Sequence, residues 1–155
     1  MRVYFAEPRK DLLKLVLTLK KSHSGPFVVV KPELGILPRF LRYTLFSTYK
    51  SFQQERAPAK DFALSWLCFI ACTPKIDRAL KFAAPDGKRI AIACEDELSP
   101  AALAQLGPLA SFADDGKWRA AAEKRLAEMY GLSRAALANY SLEDLLIEKS
   151  AVALL

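Results

Sequence analysis

PFVVVK, residues 26–31, is a run of β-branched residues that follows the turn residues Ser24 and Gly25. A continuous apolar run of this length is typical of a strand that is covered on both faces, because a half-exposed strand alternates apolar and polar residues. Pro32 and Gly35 then end the strand, since proline has no N–H to donate to a neighbouring strand. We therefore expect a central strand at residues 26–31, in a protein built of packed helix and sheet layers.

Strand and helix patterns surround this run. Residues 2–6 and 88–94 resemble strands, and residues 11–21 repeat leucine at the three- and four-residue spacing of a helix. Further helices are predicted over residues 37–52, 61–70, 73–83, 99–106 and 117–130, and in two segments that begin at Ser133 and Ser141. The predicted fold class is α/β with an α+β-like mixture: a small mixed sheet of about three to four strands, packed with several helices in a single domain.

The length and composition favour one folded domain over residues 1–155. The chain is 52% apolar and 26% charged, and a chain of this size can bury a core of its own. Its longest uncharged apolar stretch near the middle, residues 62–72, is well short of the roughly 20 residues that cross a bilayer. Glu7 and Pro8 interrupt the N-terminus before it reaches signal-peptide length. With three cysteines in no secretory spacing, we expect a cytoplasmic protein with reduced thiols and no membrane partner.

Charge is distributed unevenly along the chain. The formal net charge is +6, yet residues 1–60 carry 12 Lys and Arg against 4 Asp and Glu, while residues 91–155 carry 6 against 10. The basic half is a candidate surface for phosphate groups. An ordinary solvated basic face explains the same pattern, so charge alone leaves both interpretations open.

No catalytic or metal-binding motif emerges from the residues. The single histidine, His23, lies in a loop and is interpreted as a solvated turn residue, so a serine or cysteine nucleophile has no evident base. Cys68 and Cys72, four residues apart on an apolar helix, lack the further ligands of a zinc site and are interpreted as packing. No glycine-rich phosphate loop is present. We expect no enzyme activity, cofactor, metal or small-molecule substrate; the alternative is a small cytosolic enzyme that acts on a phosphorylated metabolite.

Two segments are candidate interfaces. In the helix over residues 37–52, Arg39 and Arg42 alternate with Tyr43, Phe46 and Tyr49, a pattern that offers both phosphate pairing and base stacking. Core aromatics beside ordinary surface arginines are the alternative. The C-terminal segment is apolar around more than one face, which indicates either a protein partner or a fully buried helix.

Residues 60–87, KDFALSWLCFIACTPKIDRALKFAAPDG, resemble the hallmark segment of the small accessory subunits of the KEOPS complex, the family that binds the PRPK kinase. That family commonly shows an apolar helix, a short break, a polar residue plus Ile, then Ala-Leu or Ala-Ile, and a Gly-containing turn into a strand. The tail LEDLLIEKSAVALL, residues 142–155, is similar to the family's ending. The chain departs from the family at three places. The family often has an acidic residue at the position of Ser65, a glycine near that of Cys72 and a glutamine at that of Lys75.

The resemblance implies a non-catalytic subunit that binds and regulates the small atypical KEOPS kinase/ATPase. It also implies recruitment of tRNA, by its 3′ CCA end, for threonylcarbamoyl-adenosine modification. On this hypothesis the KEOPS kinase subunit and tRNA are the partners. The candidate tRNA contacts are Lys31, Arg39, Arg42, Lys75, Lys81, Lys88 and Arg89, and the candidate kinase contacts are Leu145, Leu146, Lys149 and Val152.

Overall fold

The structure is a computed structural model that describes residues 1–9, 11–112 and 119–153. Its strands are β1 (Arg2–Pro8), β2 (Phe27–Val30), β3 (Ile90–Cys94) and β4 (Ala110–Phe112). Its helices are α1 (Leu12–Ser22), α2 (Pro32–Gly35), α3 (Pro38–Gln53), α4 (Phe62–Ile70), α5 (Ile76–Ala83), α6 (Pro100–Leu106), α7 (Arg119–Met129), α8 (Arg134–Asn139) and α9 (Leu142–Ala153). The predicted mixture of helices around a small sheet is confirmed. β4 falls where the sequence indicated only a loop, and the first two residues of the helix predicted over 117–130 lie outside the described ranges.

The four strands form one sheet in the order β2-β3-β1-β4. All three pairings are antiparallel, with Tyr4 and Val29 both opposite Ile92. The expected mixed pairing is therefore replaced by an antiparallel sheet. β1 and β2 run parallel to each other, but β3 lies between them, so the β1-α1-β2 unit is split. β2 is consequently an edge strand, and the two interior strands are β3 and β1. A continuous apolar run indicates that both faces of a strand are covered, but it does not indicate whether the strand has a neighbour on each side.

Helices cover both faces of the sheet. Along β3, Ile90, Ile92 and Cys94 face α1 and α6, while Ala91 and Ala93 face the core formed with α2, α3, α4, α5, α7 and α9. The small alanines let α2 approach closely. A Cβ on Gly35 would lie 2.6 Å from the Ala91 Cβ and 2.7 Å from the Phe5 ring, so this contact requires glycine. The sequence thus positions α2 and the residues beside it, including Lys31, against the end of the sheet.

α4 is the most apolar helix and runs through the core. It begins where Asp61 Oδ1 accepts the Leu64 N–H at 3.0 Å, which caps the helix. Its buried Trp66 donates from Nε1 to the Thr44 hydroxyl at 3.0 Å, which satisfies the indole inside the core. Among the described residues, none of the helices combines the length and apolar character needed to span a membrane.

α4 ends in a left-handed turn at Cys72, whose φ is 51°. The Thr73 N–H donates to the Cys68 carbonyl at 3.0 Å, and the Cys72 N–H donates to the Phe69 carbonyl at 3.2 Å. These bonds close the helix in the way that glycine most often does. This turn separates α4 from α5, whose N-cap is Lys75.

Candidate functional site

Four of the predicted tRNA contacts lie at one end of the sheet. The β2 and β3 register pairs Val30 with Ala91, so Lys31, just after β2, lies beside the residues that precede β3. The Lys31 N–H donates to the Ala83 carbonyl at 2.9 Å, and its Nζ donates to the Lys81 carbonyl at 3.3 Å. We call Lys31, Lys81, Lys88 and Arg89 the basic end.

A cleft of about 540 Å³ opens at the basic end. Lys31, Lys88 and Arg89 line it together with Arg125 of α7, and the carboxylates present are Glu33 and Asp86. The remaining lining is Pro32, Ala121, Ala122 and Met129. Four cations against two carboxylates leave a positive local charge, which attracts phosphate groups.

The two arginines of the cleft are held by carboxylates. Arg89 donates from Nε and Nη2 to Glu7 Oε1, at 3.1 and 2.6 Å, and Arg125 Nη1 lies 3.1 Å from Glu33 Oε1. Lys31, by contrast, contacts a neutral carbonyl, and the Lys88 side chain is exposed. The arginines therefore fix the shape of the cleft, while Lys31 and Lys88 form no ion pair with another described residue.

Arg125 is a cleft residue that sequence reasoning missed. It lies in the acidic half of the chain, and its partner Glu33 is 92 residues away in sequence. No local pattern connects the two positions, because only the packing of α7 against α2 brings them together. Spacing along the sequence carries no signal for such a contact.

Lys75 does not line the cleft and lies directly before α5, as the N-cap of that helix. It is exposed, and its N–H contacts the Thr73 hydroxyl at 3.4 Å. Lys81 lies six positions further along the chain, which corresponds to about 9 Å along the helix axis. The exposed Arg78 lies between them. α5 therefore extends the positive surface beyond the cleft.

Arg39 and Arg42 do not line the cleft. Arg39 Nη2 lies 3.0 Å from Asp144 Oδ1 of α9, and the Arg39 and Phe40 N–H groups donate to Glu143 Oε1 at 2.8 and 3.2 Å. The start of α3 is thus capped by a carboxylate from α9, and Arg39 has a structural contact there. Arg42 is exposed further along α3.

The aromatic residues of α3 divide between surface and core. Phe46 is 67% exposed, with Arg42 one helical turn before it. Tyr49 packs on Phe62 with ring centroids 4.8 Å apart, and its hydroxyl donates to Glu95. Burial, and then the Glu95 contact, raise the pKa of Tyr49 to about 12. Phe46 is therefore available for stacking, whereas Tyr49 supports the alternative of a packed aromatic.

The predicted kinase contacts on α9 also separate into two groups. Leu146 is fully buried in the core, so its assignment to a partner surface is corrected: α9 uses that face to pack on α3. Lys149 Nζ donates to the Tyr130 carbonyl at 2.8 Å and ties α9 to the end of α7. Leu145 is half-buried and Val152 is 69% exposed. Leu145 and Val152 are the apolar positions of the predicted set that retain access to a partner.

The cysteines and the histidine show no sign of reactive chemistry. Burial raises the pKa of the Cys68 thiol, that of Cys72 to about 11, and that of Cys94, next to Asp96, to about 12. These thiols stay protonated at neutral pH, and Cys68 is a core residue. His23 is half-buried against Phe27 rather than solvated, and its Nε2 has no hydrogen-bond partner. Across the described ranges, no three His, Cys, Asp or Glu side chains are grouped so as to hold a metal ion.

Comparison with the models of known protein families and with curated proteins gave no match. The resemblance to the KEOPS accessory subunits stays a prediction.

Proposed function

We propose that the chain is a non-catalytic accessory subunit of the KEOPS type, which binds and regulates the KEOPS kinase subunit and recruits tRNA by its 3′ CCA end. The observation that carries the proposal is the basic end. Lys31, Lys81, Lys88 and Arg89 come from three separate chain segments, yet they meet beside one cleft. The proposed setting is the cytosol, which agrees with three free cysteines.

Exposed lysines suit a phosphate backbone. Phosphate contacts supply most of the sequence-independent affinity of nucleic-acid-binding proteins, and each contact releases counterions. The exposed side chains of Lys75, Lys81 and Lys88 follow the surface from the start of α5 to the cleft. A single-stranded RNA end bound along this path would place several phosphates next to cations.

At Cys72 the chain departs from the family, and the backbone conformation there is compatible with the proposal. The KEOPS accessory subunits often carry glycine near this position, and here the backbone φ is 51°, in the left-handed region that glycine favours. The turn between α4 and α5 therefore has the conformation that the family's glycine would serve. Element order agrees as well, since strand, helix, strand, long helix, paired helices and strand follow one another.

The CCA end is tested by comparing intact tRNA with tRNA that lacks its last three nucleotides. We expect the truncated tRNA to bind the full chain at least tenfold more weakly in a filter-binding titration at fixed salt, because the stacking and phosphate contacts of the end are lost. Adding the CCA nucleotides back enzymatically provides the matched control and should restore the affinity. Equal affinities for the two tRNAs would contradict recruitment by the 3′ end.

The alternative is a small enzyme that acts on a phosphorylated metabolite. The cleft favours it to some extent, since about 540 Å³ is a typical ligand volume and Glu33 and Asp86 could move protons. This function predicts saturable binding of a small phosphate ester such as ribose 5-phosphate, lost in Lys31→Gln. Calorimetric titration of ribose 5-phosphate and of tRNA separates the two proposals, because the accessory-subunit function requires the tRNA to bind and the ester to leave no signal.

A further inference from the structure

The edge position of β2 leaves backbone groups facing away from the sheet. The Glu95 N–H donates to the Pro26 carbonyl at 3.1 Å, so Pro26 and Glu95 form a hydrogen-bonded pair of the antiparallel ladder. Such pairs alternate along a strand, which directs the N–H and C=O groups of Val28 and Val30 toward β3. The same groups of Phe27 and Val29 consequently point to the open edge. The Lys31 N–H also points away from β3, but it donates to the Ala83 carbonyl. The edge is therefore already hydrogen-bonded just after the C-terminal end of β2.

The open edge lies at the bottom of an apolar groove of about 610 Å³. One wall is α1, with Leu12 and Val16, and the other consists of α4 and α5, with Phe62, Leu67 and Leu80. The four residues of β2 span about 13 Å. The groove therefore matches a short extended segment in length, and its floor offers the hydrogen bonds that a strand needs.

Apolar surface continues from the groove over its rims. On α1, Leu13 is 63% and Leu17 is 50% exposed, and on α5, Leu80 is 40% exposed. α1 already contributes Leu15 and Leu19 to the core, so the exposed leucines are surplus to its own packing. A patch of this kind beside a groove is typical of a protein interaction site.

Charge at the two ends of the groove selects the partner. Lys20, which lines the groove, lies near the start of β2, because only residues 23–26 connect α1 to that strand. Lys31 follows the other end of β2 and contacts Lys81. Among the described residues that line the groove, the carboxylate is Asp61, which is engaged as the cap of α4. A bound segment with carboxylates at its ends complements this arrangement.

We propose that the edge of β2 binds an extended segment of a protein partner by strand addition, with apolar residues at alternate positions and acidic residues at both ends. A second copy of this chain cannot pair through its own β2. In that copy β2 also lies at the bottom of a groove, between α1 on one side and α4 and α5 on the other, so the two β2 edges cannot meet. A helix is about 10 Å wide and has no free backbone groups to pair with Phe27 and Val29.

The probe is a phage-displayed library of random eight-residue peptides, selected on the full chain. We expect the enriched sequences to alternate apolar residues between acidic ends. Val29→Pro removes one outward N–H and leaves the bonds to β3 intact, because an edge position tolerates proline. It should weaken a selected peptide at least tenfold, whereas the matched control Val29→Thr should change its affinity less than threefold. Equal binding to the wild type and to Val29→Pro, or a selection without enrichment, would overturn the proposal.

Amide hydrogen exchange of the unmodified chain tests the same contact without a variant. In the free protein the Phe27 and Val29 amides should exchange at least 100-fold faster than those of Val28 and Val30. The selected peptide should slow exchange at Phe27 and Val29. Slow exchange of all four amides in the free chain, or peptide protection confined to another surface, would contradict an open edge at β2.

Discussion

Gly131 lies two residues after the end of α7, and its φ of 65° is in the left-handed region. A Cβ there would meet nothing within 4 Å, so the cost of a side chain is one of backbone conformation alone. We expect Gly131→Ala to lower the free energy of unfolding by about 1 kcal/mol. Gly107→Ala is the matched control, because Gly107 has a helical φ of −51° and its Cβ would make ordinary contacts at 3.6 Å. Urea titration measures both, and equal losses would contradict the assigned conformation.

Tyr49 makes the free energy of unfolding vary with pH in the alkaline range. Its pKa is raised from 10.0 to about 12 by burial and by Glu95, so the folded chain holds the phenolic proton more tightly than the unfolded chain. The stability that this proton contributes is complete below pH 10 and is lost as pH rises through about 12. We expect Tyr49→Phe to flatten the fall in unfolding free energy between pH 10 and 12. An unchanged slope in urea titrations at these pH values would argue against the contact.

Single residues were predictable from sequence where their contact is local. Helices were predicted to begin at Asp61 and at Ser133, and both side chains accept N–H groups from three residues further along the chain, at 3.0 and 3.1 Å. Arg39 was expected to meet RNA, but it contacts Asp144, 105 residues away. Sequence spacing specifies the first kind of contact and not the second, since tertiary packing brings distant carboxylates into reach.

At the scale of elements, α9 has one face in the core and a second face that remains accessible. Leu146 is fully buried, so Leu146→Ala should lower the free energy of unfolding by about 3 kcal/mol through the cavity it leaves. Val152 is 69% exposed, and Val152→Asp should leave stability within about 0.5 kcal/mol. If α9 contacts the kinase, Val152→Asp should nevertheless reduce co-purification with the KEOPS kinase subunit. A Val152→Asp chain that unfolds, or one that retains the kinase fully, would contradict this division.

Helices and strands whose apolar residues recur at a regular spacing were predictable from the sequence. Strands that depend on pairing with a strand far away in the sequence were not. α1 and β3 follow their apolar spacing, and their predicted ranges agree with the structure to within two residues. β4 has three residues, which are too few to show an alternation of apolar and polar residues, and it is a strand because it pairs with β1. β2 was recognised as a strand, but its place at the edge depends on β3, which follows some 60 residues later. Sheet order is a property of the whole chain.

At the scale of the molecule, cations from separate segments of the chain lie together on one surface. Four of the cations predicted to contact tRNA lie together at the basic end, although Lys31 alone among them belongs to the basic half over residues 1–60. The counter-charges Glu7 and Glu33, together with the additional cation Arg125, were not predicted, although they decide which cations stay available. Lys31, Lys81 and Lys88 emerge as the positions on which an RNA phosphate would depend.

The most direct test of the account is the salt dependence of tRNA affinity for a triple variant, Lys31→Gln, Lys81→Gln and Lys88→Gln. The matched control replaces three exposed lysines elsewhere, Lys14, Lys21 and Lys124, so both variants lose the same net charge. We predict that the slope of log K against log salt becomes shallower by about 2 in the basic-end variant, as expected for three lost phosphate contacts, and that the control keeps the wild-type slope. Equal slopes for wild type and the basic-end variant, with the fold intact, would contradict a tRNA surface at the basic end.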